Sequence, residues 1–253
     1  TASFEDMDLV CYSINPQVHA FDNLSLIETL SAQPETVKSA RQFSNNKFIA
    51  VSPITLKMRF NPFATSPETE LKSNQLPSQV DVRQMSLFGA GWTVGSLKNL
   101  CESEAHSLTY YETTGWRGVM ETQYGSPVPE KFYSFKEAVF PLYHVFADVG
   151  EFADGQIIET SSSNPLKING LAINKEGRIR VILANLVSEI QQLTVKNLSS
   201  SVNIRHLNES NIEEAMKSPE IYRVQNFKKH VTDNGLLKLK LLPYAIVCID
   251  STK

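Results

Sequence analysis

Near residue 154 the spacing of the apolar residues along the sequence changes. Before it, short apolar runs such as 7–14 (MDLVCYSI) alternate with longer stretches that have the apolar spacing of helices. After it, short apolar runs follow one another and are separated by turn signals such as 233–235 (DNG). Alternating strands and helices favour parallel strands with crossover helices, whereas strands joined by turns favour antiparallel sheets. We therefore predict an α/β plus all-β chain, with an α/β domain at 1–153 and an antiparallel β-sandwich at 154–253.

The first part contains about three strand–helix units, whose strands are expected within 7–14, 47–60 and 106–114. A closed (β/α)8 barrel needs eight such units. The count predicts a partial (β/α)8-type barrel, which is either a small open α/β unit or the C-terminal part of a longer barrel. Three parallel strands alone would leave an open edge and an exposed face. We expect such an edge to favour association, and a homo-oligomer that covers it is one possibility.

The helical stretches contain residues that mark where each helix begins or bends. In the first, Asp22 or Ser25 is the expected N-cap, and Pro34 should kink or divide the helix. Pro141 is expected in the first turn of the third helix, or at a kink in it. In the second part, one short helix should begin after Ser210 as its cap. The core candidates of the first helix are Leu26, Leu30, Val37 and Phe43.

Composition removes several classes of function. The net charge is −3, which argues against a nucleic-acid or anionic-membrane partner, and no apolar run approaches the ~20 residues of a membrane span. The three cysteines are far apart and form no CxxC pair, so we expect free thiols and no metal site. No GxSxG nucleophile elbow or phosphate-binding glycine loop occurs. We expect no cofactor, and a cytoplasmic location with the periplasm as the alternative.

Polar and aromatic residues follow the expected strands, and in (β/α)8 barrels these loops build the active site. The sharpest case is LTYYETTGWRG (108–118), where an apolar strand ends on Glu112. Aromatic neighbours would partly desolvate this carboxylate and suit it to proton transfer. The alternative is an ion pair with Arg117 or Arg59 that braces the loops. Glu112 is the first catalytic candidate.

Two further catalytic candidates follow the other strands. His19 precedes Asp22 and could act as a base or hydrogen-bond a substrate hydroxyl; the alternative is a histidine that only orders its loop. Arg59 could stabilise a carboxylate or a developing oxyanion, and this is compatible with a pair to Glu112. Six residues with amide, aromatic or guanidinium groups in the same loops are the expected substrate contacts: Asn15, Gln17, Asn61, Tyr111, Trp116 and Arg117. The aromatic members are equally suited to the core.

Several of these segments resemble one known family. The strings SINPQVHAFDN, SPITLKMRFNP, DVRQMSLFGAGW, TYYETTGWRGVME, FPLYHVFADVGEF and LLPYAIVCID are similar to the C-terminal portion of D-apionate lactonase-like proteins. These look like clan-A glycoside hydrolases, with a (β/α)8 barrel followed by a β-sandwich.

The resemblance implies that the three units are the sixth, seventh and eighth of the barrel. The clan's general acid, after the fourth strand, would then lie outside this sequence. Its usual nucleophile ends the seventh strand, but VSPITLKMRF here contains no acidic residue. The role of Glu112 is inferred from its placement alone.

These observations lead to a carbohydrate-active hydrolase whose partner is a small carbohydrate or sugar acid. The leading reaction is hydrolysis of a sugar-acid lactone: water attacks the ester carbonyl, Glu112 or His19 handles the proton, and Arg59 stabilises the oxyanion. The first alternative is O-glycoside hydrolysis by two carboxylates. The second is an inactive carbohydrate-binding or structural unit.

Overall fold

A computed structural model describes residues 6–60, 74–225 and 227–252. Its described residues up to 150 form three strands and four α-helices. In chain order these are β1 (Leu9–Ile14), α1 (Asn23–Glu28), α2 (Gln33–Phe43), β2 (Phe48–Ile54), α3 (Leu87–Glu102), β3 (Ser107–Tyr110) and α4 (Pro141–Gly150). The predicted strand–helix alternation is confirmed, although β2 and β3 are shorter than expected.

The three strands form one parallel sheet in the order β1–β2–β3. One of its faces is buried on the helices, as Ile49, Val51 and Ile54 of β2 show. Side chains of the opposite face are open to solvent: Leu9 is 46% exposed and Phe48 60%. In the described part of the chain, nothing covers this apolar face, which is the exposed face that three parallel strands alone are expected to leave.

The first helical stretch divides as its sequence predicts. Asp22 is the N-cap of α1, and its carboxylate accepts from the Ser25 amide at 3.0 Å. A 3₁₀ turn then separates α1 from α2, and Pro34 lies at the start of α2, where a missing N–H costs nothing. Phe43 corrects one expectation. It is 57% exposed at the end of α2 and is not a core residue.

Helix α3 lies at the centre of the molecule and is buried nearly all round. Its glycines permit this. A Cβ on Gly95 would lie 2.7 Å from Leu30, and one on Gly91 would lie 3.5 Å from Ala184 and Leu186 of the second part. These glycines therefore allow neighbouring side chains to pack directly against the helix backbone. Helix α3 therefore contacts both parts of the chain.

The second part is antiparallel, as expected. Its described elements are β4 (Gln156–Ile158), β5 (Ile168–Lys175), β6 (Arg178–Asn185), β7 (Gln191–Val195), β8 (Ser201–Leu207), α5 (Ile212–Lys217), α6 (Pro219–Gln225), β9 (Lys228–Val231), β10 (Leu237–Leu241) and β11 (Ile246–Thr252). Six strands form a sheet in the order β4–β5–β6–β11–β8–β9, and β10 pairs with β7. The expected Ser210 cap is wrong, because Asn211 precedes α5 and makes no side-chain cap.

The six-stranded sheet is buried on two sides. On one face, Val202 and Val247 share a buried cluster with Leu237 and Leu241 of β10, so the two-stranded sheet packs there. On the other face, Ile182 belongs to the large cluster that contains α3 and the parallel sheet. The expected boundary at residue 154 lies between α4 and β4, but this core crosses it. The division into domains 1–153 and 154–253 stays a prediction.

A buried ionic cluster also joins the two parts. Asp148 of α4 accepts hydrogen bonds from Arg205 of β8 and from Arg223 of α6, the latter at 2.8 Å. Arg180 of β6 donates to the Asp148 carbonyl at 3.0 Å and makes a bidentate pair with Asp250, both bonds being 2.7 Å. The side chains of Arg180 and Arg205 are only 2% exposed, so their pairing is essential to the packing of α4 on the sheet.

His144 of α4 gives the fold a pH dependence. Its Nε2 lies 2.9 Å from the Ala215 carbonyl, and its Nδ1 has no hydrogen-bond partner within the described residues. Burial lowers the pKa of His144 to about 4. The unfolded chain therefore takes up a proton below pH ~6.5 while the folded protein does not, so stability falls as the pH drops from ~6.5 toward 4.

We expect His144 to cost the fold about 2 kcal/mol between pH 7.5 and pH 5. Urea unfolding of the wild type and of His144→Gln at both pH values measures this. The variant should lose that much less stability over the interval, and the matched change His106→Gln, at an exposed histidine, should leave the wild-type dependence in place. Equal pH dependence in wild type and His144→Gln would contradict the assignment.

In the part of the chain that the structure describes, none of the helices has the length and apolar character required to cross a membrane.

Candidate functional site

The loops that follow β1, β2 and β3 leave the same edge of the sheet, because the strands are parallel. This edge is formed by the carboxyl ends of the strands, which is where barrel enzymes carry their active sites. The candidate residues His19, Arg59 and Glu112 follow these three strands in turn.

Glu112 lies between two guanidinium groups. Its Oε1 is 3.1 Å from Arg117 Nη2 and 3.7 Å from Arg59 Nη2. The three side chains are 33–38% exposed, so solvent reaches them. The Glu112 amide also donates to the Arg117 carbonyl at 2.9 Å, which closes the ETTGWR loop and holds the pair together. The two ion pairs expected as alternatives are both present.

Arg59 is held from the other side by the backbone after β3. Its Nη2 donates to the Tyr111 carbonyl at 2.7 Å. Its Nε is buried and has no hydrogen-bond partner in the described residues. A guanidinium with one anchored nitrogen and an unused donor retains capacity for a further acceptor.

Tyr111 occupies a different environment from the one that sugar stacking requires. Its backbone has φ 51°, which turns the chain at the end of β3 and sends the ring into the core, where it is 4% exposed. Its hydroxyl lies 2.8 Å from Thr93 Oγ1, and burial raises its pKa well above the usual value. Tyr111 positions Arg59 through its carbonyl and offers no exposed face to a ligand.

Gln17 is also a structural residue. It is 3% exposed; its amide nitrogen donates to the Leu56 carbonyl and to Asp81, both at 2.6 Å, and its oxygen accepts from Arg83 at 2.9 Å. Both amide hydrogens are used, so the expected contact with substrate is not available in this arrangement. What Gln17 does is tie the loop after β1 to the end of β2.

The remaining candidates are spread around this edge. Trp116 is half-buried and donates to Ser126 Oγ at 3.0 Å. Asn15 has a buried Oδ1 without a partner among the described residues. His19 is exposed, and no hydrogen bond or ion pair joins it to Glu112 in the described structure. Asn61 lies outside the described residues.

Asp81 and its neighbours organise the site, and sequence reasoning missed them. Asp81 is 6% exposed and accepts from the backbone amide and the guanidinium of Arg83. Burial opposes its ionisation, but the Arg83 hydrogen bonds outweigh this and hold the pKa of Asp81 below its ordinary value. Lys57 donates to the Val80 carbonyl at 3.1 Å, and Gln84 donates to the Gly118 carbonyl at 2.9 Å.

The segment 80–84 therefore binds all three strand-end loops. It contacts the first through Gln17, the second through Lys57 and the third through Gly118. A small crevice opens here, and it is lined by Lys57, Asp81, Tyr111, Arg117 and neighbouring residues. The Asp81–Arg83 pair acts as a rigid support behind the more exposed Arg59–Glu112–Arg117 cluster.

Comparisons with solved structures agree with this architecture. CelM2, a bifunctional glucanase-xylanase from a metagenome library, superposes with a TM-score of 0.62 at 9% identity, over 97% of this chain and 44% of that one. An α-L-arabinofuranosidase from Thermotoga maritima gives 0.57 at 12% identity, over 99% and 54%. A GH30 endoxylanase from Clostridium papyrosolvens gives 0.54 at 8% identity, over 99% and 50%. These similarities show a TIM-barrel-like, glycoside-hydrolase-like fold.

Sequence comparison supplies the family. A curated D-apionate lactonase from Brucella anthropi is 29% identical over 192 residues, which are 76% of this chain and 30% of that protein. The chain thus spans about a third of the length of this relative. The family model described as "D-apionate lactonase, TIM barrel domain" matches residues 1–154. Together with the strand-end site and the neighbouring folds, this match shows that the chain belongs to the D-apionate lactonase TIM barrel family.

Proposed function

We propose that this chain supplies part of the active site of a carbohydrate-active hydrolase that opens a sugar-acid lactone. The single observation that carries the proposal is the Arg59–Glu112–Arg117 cluster at the carboxyl ends of the parallel strands. It combines one accessible carboxylate with two cations, which are the groups that proton removal and oxyanion stabilisation need. The lactone of D-apionate is the first substrate to test, since the curated relative is named for that acid.

In the proposed reaction, water attacks the lactone carbonyl and transfers a proton to Glu112. The carbonyl oxygen becomes an oxyanion, which Arg59 or Arg117 stabilises by charge-assisted hydrogen bonds. The carbonyl re-forms as the bond to the ring oxygen breaks, and the proton on Glu112 passes to that oxygen as it becomes a hydroxyl. Glu112 starts and ends as a carboxylate, and the product is the open-chain acid. His19 is the second candidate for the proton transfer, because its side chain is exposed at the same edge.

O-glycoside hydrolysis is the second candidate, and the folds of the structural neighbours favour it. That reaction needs two carboxyl groups across the scissile bond. Two other carboxylates near the described strand ends are already engaged: Asp22 caps α1, and Asp81 is bonded to Arg83 and Gln17. A glycosidase would therefore take its second carboxylate from elsewhere.

Either reaction is expected only if the exposed face of the parallel sheet is covered. A closed barrel has eight strands, so five further strands would pack beside β1 to β3 and bury Leu9 and Phe48. A second copy of the chain is the alternative cover. If the face stays open, we expect a binding or structural role and no catalysis, because the cluster would lack a water-excluding wall.

Product analysis distinguishes these proposals. The full natural protein is incubated with the lactone of D-apionate and, separately, with aryl xylosides and arabinofuranosides, and the products are followed by NMR. We expect the open-chain acid from the lactone and no free aryl alcohol from the glycosides. Release of the aryl alcohol without lactone opening would favour the glycosidase. Turnover of neither class would favour the binding or structural role.

A further inference from the structure

A second polar pocket lies on the antiparallel part of the chain. Its cavity of about 250 Å³ lies on the face of the six-stranded sheet that α4 covers only in part. Arg180, Asp250, Asn203 and Lys229 are paired in register across β6, β11, β8 and β9, so their side chains stand in one row on this face. Helix α4 ends before Asn203 and Lys229 are covered, which leaves the end of the row open to solvent.

The rim of the pocket is positively charged. Arg178 and Lys229 are exposed, and within the described residues neither has an ion-pair or hydrogen-bond partner. The Arg178 guanidinium lies 5.1 Å from the centre of the Phe152 ring, so stacking holds it over the cavity. The one carboxylate in the lining, Asp250, pairs through both of its oxygens with Arg180 at 2.7 Å. Arg180 also pairs with Glu151, but Arg205 and Arg223 supply two further cations, so these three arginines balance Asp148, Glu151 and Asp250. The pocket therefore carries a surplus of positive charge in a chain whose net charge is −3.

The floor of the pocket offers unused polar groups. The Asn203 amide and the Ser201 hydroxyl line the cavity, and their side chains make no hydrogen bond within the described residues. Phe152 is 2% exposed, so the pocket has no open aromatic face for a neutral sugar ring to stack on. A cavity of about 250 Å³ is at the small end of ligand sites, which suits one monosaccharide-sized molecule and excludes an oligosaccharide.

We propose that this pocket binds a small hydroxylated carboxylate, such as an open-chain or cyclic sugar acid. The planar guanidinium of Arg178 takes the carboxylate in a bidentate pair, Lys229 adds a second cation, and Asn203 and Ser201 bond the hydroxyls. These residues belong to β6, β8 and β9 and not to the strand-end loops. The inference therefore does not depend on the lactonase proposal, and binding here can be measured without turnover.

The test is a calorimetric titration of the full natural protein with sodium D-gluconate, D-glucose and inorganic phosphate. We expect gluconate to bind with a Kd on the order of 1 mM and the neutral sugar to bind far more weakly. Arg178→Gln and Lys229→Gln should each weaken gluconate binding about tenfold. The matched control Lys240→Gln removes the same charge from an exposed site on β10, outside the pocket, and should bind as the wild type does.

Four results would overturn the inference. These are no saturable gluconate binding, equal binding of glucose, equal binding of phosphate, and gluconate binding that Arg178→Gln does not change. Equal binding of phosphate would mean a simple anion site without hydroxyl recognition. Because Arg178 and Lys229 are exposed, both variants should fold, and an unchanged melting temperature checks this.

Discussion

Asp148→Asn is expected to lower the free energy of unfolding by about 3–5 kcal/mol. Asp148 is 3% exposed and accepts from both Arg205 and Arg223. Burial alone would lower the pKa of Arg205, but the adjacent Asp148 carboxylate keeps it above its usual value, so this cation depends on that anion. The amide of asparagine keeps the shape and removes the charge, which leaves a buried guanidinium without its counter-ion. Urea unfolding at neutral pH measures the loss.

The matched control is Glu213→Gln. Glu213 also pairs with a cation, Lys217 at 2.9 Å, but both side chains are about half exposed or more. Exposed pairs of this kind contribute less than about 0.5 kcal/mol. If Asp148→Asn costs as little as this control, the buried cluster does not hold α4 to the sheet. Comparable losses in the two variants would therefore contradict the account of how the two parts of the chain are joined.

The elements of the fold were largely predictable because their signals are local. The division of the first helix at Pro34, the cap at Asp22 and the start of α4 at Pro141 each follow from one residue's backbone chemistry. Phe43 was wrongly assigned to the core, because helical spacing alone does not show which residues lie beyond the elements that the helix packs against. Strands β4 and β9 are too short to show an apolar pattern, and β5 is also not predicted, because asparagines and a glycine interrupt its apolar residues.

The site was predictable only in part, and the reason is sequence separation. Glu112 and Arg117 are five residues apart in a tight loop, so their pairing could be anticipated. Gln17 and Asp81 are separated by 64 residues, and no local pattern shows that they meet. Tyr111 was predicted as a ligand contact because strand alternation gives two faces without saying which one is the core. Its left-handed backbone decides this, and a tyrosine gives no sign of that conformation.

Glu112→Gln is expected to lower kcat/KM for the lactone by 100-fold or more, since general-base catalysis typically contributes ~10²–10⁴-fold. Glutamine retains the size of the side chain and one accepting oxygen, but it cannot take the proton from water. The two guanidiniums lose their anion, yet all three side chains are about a third exposed, so solvent compensates and the fold should tolerate the change. An unchanged melting temperature would confirm this.

The role of Glu112 in lactone opening is tested by kcat/KM for the lactone of D-apionate, measured for the full natural protein as wild type, Glu112→Gln and Glu137→Gln. Glu137 is an exposed glutamate that follows β3 in the same connection to α4, so its substitution is the matched control. We expect a loss of at least about 100-fold for Glu112→Gln and less than about twofold for Glu137→Gln. A Glu112→Gln enzyme that opens the lactone as fast as the wild type would show that the cluster only braces the loops, and the active site would have to be sought elsewhere.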